Sequence, residues 1–138
     1  MKLVVDANVV ISALIADSKP RELIVTLEPD LFTPEFVHDE IENYEELIVE
    51  KSGMTLDRVA QFIDLLFQRI EVVPASEVYP YIEEADAAVG DTDPDDVLYG
   101  ACALATDADI WSDGADFQEQ AVVEAHPTSY VIDSFDTL

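Results

Sequence analysis

Four acidic positions in this chain are hard to explain as surface decoration. The first, Asp6, ends the apolar run Leu3-Val4-Val5 and precedes Ala7-Asn8. Three large apolar residues in succession fit a strand buried on both faces, as in a parallel sheet flanked by helices. An acid at the carboxyl end of such a strand faces the crevice where open α/β sheets bind their ligands. A carboxylate buried there needs a compensating cation or donor; capping of the next helix is the structural alternative. The second, Glu40, falls four residues after Phe36 and four before Tyr44, on the buried side of a helix whose other acids face water. With so few positive residues to pair it, metal binding competes with a glutamate snorkelling at the helix edge. The third is Asp96, followed by the small residues Gly100, Ala101 and Ala103, which let a helix approach another backbone and turn the carboxylate to the crevice. The fourth lies in Ile110-Trp111-Ser112-Asp113-Gly114-Ala115-Asp116-Phe117, where a strand and glycine turn deliver acids to the same edge. A plain turn with a helix cap is the alternative there.

Strands separated by helices must position these groups. After the first strand and its helix, Pro20 to Leu27 reads as a short helix with proline in its first turn. Leu31-Phe32-Thr33 is a strand, and Pro34 starts a long helix to about Val49, stopped by Ser52-Gly53. On that helix Val37, Ile41, Tyr44 and Ile48 form the apolar stripe, and Glu35, Asp39, Glu42 and Glu46 the solvated one. Thr55 to Arg69 is helical, with Leu56, Val59, Phe62, Ile63, Leu66, Phe67 and Ile70 at helical spacing. Ile70 to Val73 is a strand ended by Pro74, and Ser76 to Ala88 a helix. Asp93 caps a helix running from Pro94 through Ala105, with Asp95 and Asp96 at its positive end. Ile110 to Ser112 is a strand, Phe117 to Ala125 a helix, and Tyr130-Val131-Ile132 the last strand. This alternation implies an α/β fold, a three-layer α/β/α sandwich with a mostly parallel central sheet, as a single domain over residues 1–138. A calcium loop at Asp91 to Cys102 is excluded: no glycine stands at its turn, and Cys102 occupies the twelfth position.

The balance of charge is extreme, with 31 Asp plus Glu against 6 Lys plus Arg and a formal net charge of −25. The acids run through every polar position rather than forming a tail, while apolar residues make up 49%, enough for a real core. That pattern matches a salt-adapted (halophilic) proteome, in which concentrated salt screens the self-repulsion. The single cysteine, Cys102, excludes an intramolecular disulfide and reads as a packed, inert thiol. No stretch has the length of a membrane span, and Asp6 and Asn8 break any signal-like run, so a cytoplasmic location is expected. His38 and His126 lie outside every cluster and read as surface or packing residues.

Together these landmarks resemble the PIN-domain ribonucleases, including the toxins of VapBC-type toxin–antitoxin pairs. The resemblance spans nearly the whole chain in order: Asp6-x-Asn8, the helix carrying Glu40, Asp93-Pro94-Asp95-Asp96, and Trp111-Ser112 before Asp116-Phe117. It implies a metal-dependent endoribonuclease that hydrolyses RNA phosphodiester bonds with Mg²⁺ or Mn²⁺ held by Asp6, Glu40, Asp96 and a fourth acid. The family's middle aspartate of the last motif is Gly114 here; either Asp113 or Asp116 takes its place or the site has lost that ligand, and Asp116 is taken as the fourth metal-site and catalytic residue. One metal, two metals and a weakened site stay open.

Two carboxylates about 4 Å apart repel by roughly 4 kcal/mol at an effective dielectric near 20, so such a group needs a bound cation or raised pKa values. All-oxygen ligands favour Mg²⁺ or Mn²⁺. Asn8 or Ser12 would steady the ligands, and Lys19 and Arg21 would flank the mouth of the crevice. The resemblance also implies a cognate antitoxin, and the apolar helix from Thr55 allows a homodimer. The alternative is a catalytically weakened PIN-like module that binds RNA or protein. A phosphoryl-receiver domain lacks its late lysine here, since no Lys follows Lys51, and a haloacid-dehalogenase-type phosphatase would need an acid at Asn8.

Overall fold

Leu3, Val4 and Val5 are fully buried, so both faces of the first strand are covered. The computed structural model describes residues 2–15, 19–26, 30–89, 94–113 and 124–135. Its strands are β1 (Lys2–Val5), β2 (Asp30–Pro34), β3 (Ile70–Val73), β4 (Asp109–Trp111) and β5 (Ala125–His126). They form one sheet in the order β3-β2-β1-β4-β5, and every pairing is parallel. The chain leaves β1 toward β2 but reaches β5 from β4, so the order reverses between β1 and β4. That reversal is the topological switch point, where an open parallel sheet leaves a crevice outside its carboxyl ends.

Helices cover both faces. On one side α2 (Lys19–Thr26), α3 (Val37–Asn43), α4 (Glu45–Ser52) and α5 (Leu56–Phe67) pack on α1 (Ala7–Ile15), and α9 (Thr128–Phe135) packs on α2. On the other, α6 (Ala75–Val78), a 3₁₀ turn (Tyr79–Tyr81) and α7 (Ile82–Val89) pack on α8 (Pro94–Thr106). Helix α8 lies directly on β1, β2 and β4. Gly100, Ala101, Cys102 and Ala103 are all buried there, and their small size permits the close approach the sequence suggested. The expected α/β/α sandwich with a parallel sheet is therefore present.

Several boundaries differ from the sequence reading. The long helix expected from Pro34 begins only at Val37, Pro34 closing β2, and is two, because Tyr44 adopts φ −104°, ψ 12° between α3 and α4 and its ring is exposed. Ile48 still bonds back to the Tyr44 carbonyl, so the ladder bends rather than stops. Gly53, with φ 71°, ends α4 in the left-handed region that favours glycine. The segment after Pro74 is broken into α6, the 3₁₀ turn and α7, with Pro80 inside the turn. Tyr130-Val131-Ile132 is helical, not the last strand. Pro127 is the cause: it ends β5, and its carbonyl accepts the first helical bonds from Tyr130 and Val131. The true last strand is the two-residue β5, and Ala125 belongs to it rather than to a helix. Glu124 is not helical either, while residues 117–123 of the expected helix, and the cap at Asp93, lie outside the described residues.

Candidate functional site

The switch point is lined by Asp6, directly after β1, and Ser112, directly after β4. Val5 pairs with Trp111, and the Asp6 amide donates to the Trp111 carbonyl at 3.0 Å, which sets Asp6 beside Ser112. Side chains alternate along a strand, so both point to the same face. The Ser112 hydroxyl donates to Asp6 Oδ2 at 2.6 Å, the length of a charge-assisted bond to a carboxylate. Asp6 is only 6% exposed and Ser112 is fully buried. The Asp6 carbonyl also accepts from Val9 and Val10. Its backbone therefore starts α1 while its side chain reaches across the switch point. The Thr33 hydroxyl donates to the Val5 carbonyl at 3.0 Å, tying β2 to the end of β1 directly before the acid. Asn8 and Ser12 are exposed on α1.

Glu40 is half-buried on α3, and its Oε1 accepts from the Tyr99 hydroxyl at 3.3 Å. Tyr99 is itself buried in α8. Asp96 precedes Tyr99 by three residues, one helical turn, and sits half-buried in the first turn of α8. The positive end of a helix dipole favours an acid there. The structure thus joins Asp6 to Ser112 across β1 and β4, and Glu40 to Tyr99 across α3 and α8. Asp116 lies outside the described residues.

Asp113 has a different occupation. Its carboxylate accepts from the Thr128 amide at 2.7 Å and the Thr128 hydroxyl at 2.6 Å, capping α9. Thr128 in turn accepts from the Trp111 indole at 3.0 Å. Glu35 is likewise more than a solvated acid, since its Oε1 accepts from the Ala75 amide at 2.7 Å.

Beside the carboxyl end of β2 lies a groove of about 390 Å³, walled by Pro34, Phe36, His38, Ala75, Tyr79 and Leu98. Leu98 belongs to α8, two residues beyond Asp96, and Tyr79 is 61% exposed. His38 stays on the surface, tilted against the Phe67 ring at 5.0 Å. Arg21 does not follow expectation. Its guanidinium donates to the carbonyls of Ala13 and Leu14 at the far end of α1, over the Phe62 ring. Since α1 starts at Asp6, that end lies at the opposite rim of the sheet. Lys19 forms an exposed pair with Glu22. Cys102 is inert as expected, its thiol pushed from 9.0 up to about 12 by burial and secondarily by the charge of Glu77.

Sequence reasoning missed one constellation. His126 is not outside every cluster: its Nε2 lies 2.8 Å from Asp109 Oδ2 and 3.7 Å from Glu124 Oε2. The pairing of β4 with β5 creates this group, and a helix predicted through Ala125 concealed it.

The described residues include no helix long and apolar enough to cross a membrane. Residues 4–128 match the family model described as PIN domain. No curated protein sequence matches the chain. Among solved structures it is similar to a chain in the crystal structure of VapBC2 from Rickettsia felis bound to a DNA fragment from their promoter. That match has 14% identity and a TM-score of 0.69, and covers 92% of this chain and 98% of the other.

Proposed function

The chain belongs to the PIN-domain family, and from that premise we propose that it is a divalent-metal-dependent endoribonuclease, the toxin of a VapBC-type pair. The observation that carries the reading is the nearly buried Asp6 carboxylate at the switch point, bonded to Ser112. Asp6, Glu40 and Asp96 would hold the metal, directly or through water, and Asp116 would complete the set. The two bonds from Thr128 to Asp113 support giving the fourth place to Asp116. The donor chemistry fits the family's metal. Carboxylates flanked by the Ser112 and Tyr99 hydroxyls form an all-oxygen environment, suited to Mg²⁺ or Mn²⁺. When bound, such an ion polarises a phosphoryl oxygen and acidifies a water for in-line attack.

The protein's own part is orientation. Ser112 holds the Asp6 carboxylate, Thr33 and the Trp111 carbonyl hold the Val5–Asp6 peptide from the two neighbouring strands, and Tyr99 holds Glu40. Asp116 positions water. The groove beside α8 offers Phe36 and Tyr79 as stacking surfaces for bases of single-stranded RNA. Backbone donors and the metal must supply most of the grip on phosphate, because lysine and arginine total 6. The similarity to a VapBC2 structure supports a cognate antitoxin as the partner of this chain. The exposed Leu56 and Leu65 of α5 support a homodimer.

The test is cleavage of single-stranded RNA in concentrated KCl with Mn²⁺ or Mg²⁺, with and without EDTA. Metal-dependent cleavage that Asp6→Asn reduces at least about 100-fold is the expected result. Activity that survives Asp6→Asn overturns the enzyme reading. One observation favours a second reading, a weakened RNA- or protein-binding module: the family's middle acid is Gly114 here. RNA binding without cleavage in the same assay would select it.

A further inference from the structure

We propose that Asp109, Glu124 and His126 form a second metal site, for a borderline ion of the Zn²⁺ type, which clasps β5 to β4. It does not rest on the nuclease reading. Parallel pairing puts Trp111 beside His126, and alternation then sets Asp109, Glu124 and His126 on one face of the sheet. One ligand atom from each residue lies within 4.8 Å of the other two.

Tetrahedral coordination at 2.0–2.2 Å separates neighbouring ligand atoms by roughly 3.3–3.6 Å. The two separations from Nε2, 2.8 Å and 3.7 Å, bracket that range. Charge argues the same way. Two carboxylates face one imidazole nitrogen, Nε2, which carries at most one proton to share between them. A divalent ion held by both acids and a neutral imidazole leaves no net charge. The imidazole distinguishes this group from the all-oxygen set around Asp6 and shifts preference toward Zn²⁺ over Mg²⁺.

The ring is also held in place. Its side chain is 12% exposed and it stacks on Tyr130 at 4.0 Å with planes 15° apart. Glu124, 79% exposed, leaves an approach for the ion and room for a water as fourth ligand. The consequence reaches the switch point through the backbone. The Ile110 amide donates to the Glu124 carbonyl at 2.8 Å, and the Ser112 amide to the His126 carbonyl at 3.1 Å. A metal at this clasp would therefore steady Ser112, the residue bonded to Asp6.

Calorimetric titration of the EDTA-dialysed full chain with ZnCl₂ tests the site, in an Asp6→Asn background to weaken ion uptake at the other centre. One Zn²⁺ should bind, raising Tm, and Co²⁺ in its place should show the visible absorption of a tetrahedral ion with one nitrogen ligand. Glu124→Gln changes an exposed side chain and should fold normally, while His126→Ala removes the nitrogen. Each should weaken Zn²⁺ binding by at least about 10- to 100-fold, the loss typical even of groups outside the ligand set. If Zn²⁺ does not bind, or binds with unchanged affinity in both variants, the proposal is overturned.

Discussion

Ser112 and Asp6 share the most consequential bond among the described residues, because it joins the two strands on either side of the switch point. Ser112→Ala leaves the buried carboxylate short of a donor. A bond to a charged group is worth about 1.5–3 kcal/mol. Urea unfolding should show a loss of that order, and RNA cleavage should fall with it. A loss below about 0.5 kcal/mol would mean the bond is incidental. Cys102 gives a pH-dependent expectation. Its folded thiol is raised from 9.0 to about 12, so the folded state binds the proton more tightly than the unfolded one. The stabilisation is fully present below about pH 9 and is lost as pH rises toward 12. Tm measured across that window should fall more steeply in the native chain than in Cys102→Ala. Asp6 was legible in the sequence because an acid ending an apolar triplet has few explanations. His126 was not, because only strand pairing brings it to Asp109 and Glu124.

Elements carry a second kind of legibility. Helix α5 follows its apolar periodicity from Val59 to Phe67, with Val59 and Leu66 buried and Phe62, Ile63 and Phe67 half-buried, while Leu56 is exposed and Ile70 already belongs to β3; Thr55 accepts the Arg58 amide as N-cap. Thr55→Ala should cost about 1 kcal/mol in urea unfolding. Helix α8 was equally readable, since proline, acids and small residues each mark a position along it. The carboxy-terminal part was not. A two-residue strand has too little alternation to register, and the β-branched Val131 and Ile132 imitate a strand that Pro127 converts into a helix. Asp113 explains how α9 is anchored, through two bonds to Thr128. Asp113→Ala should therefore destabilise the fold by about 0.5–2 kcal/mol without abolishing metal-dependent cleavage. If cleavage disappears while the variant stays folded, Asp113 rather than Asp116 is the fourth acid.

At the scale of the whole molecule, fold and charge answer to different pressures. The parallel sheet and its two helical layers follow from apolar patterning, whereas a net charge of −25 acts on the folded state through self-repulsion. Screening lengths shrink from about 10 Å at 0.1 M salt to about 3 Å at 1 M. Calorimetric Tm should accordingly climb by several degrees between dilute buffer and molar KCl; a flat or falling Tm would remove the salt-adapted interpretation. Concentrated salt would also let a polyanion approach so acidic a surface, which is why the cleavage test is set in that solvent. The central claim is that acids from β1, α3 and α8 share a divalent ion at the switch point. Anomalous diffraction from crystals grown with Mn²⁺ in molar KCl measures this most directly. The predicted result is a Mn²⁺ peak bound to Asp6, with Glu40 and Asp96 reaching it directly or through a single water. A well-ordered map with no peak beside Asp6, or with those three carboxylates facing separate solvent, would contradict it.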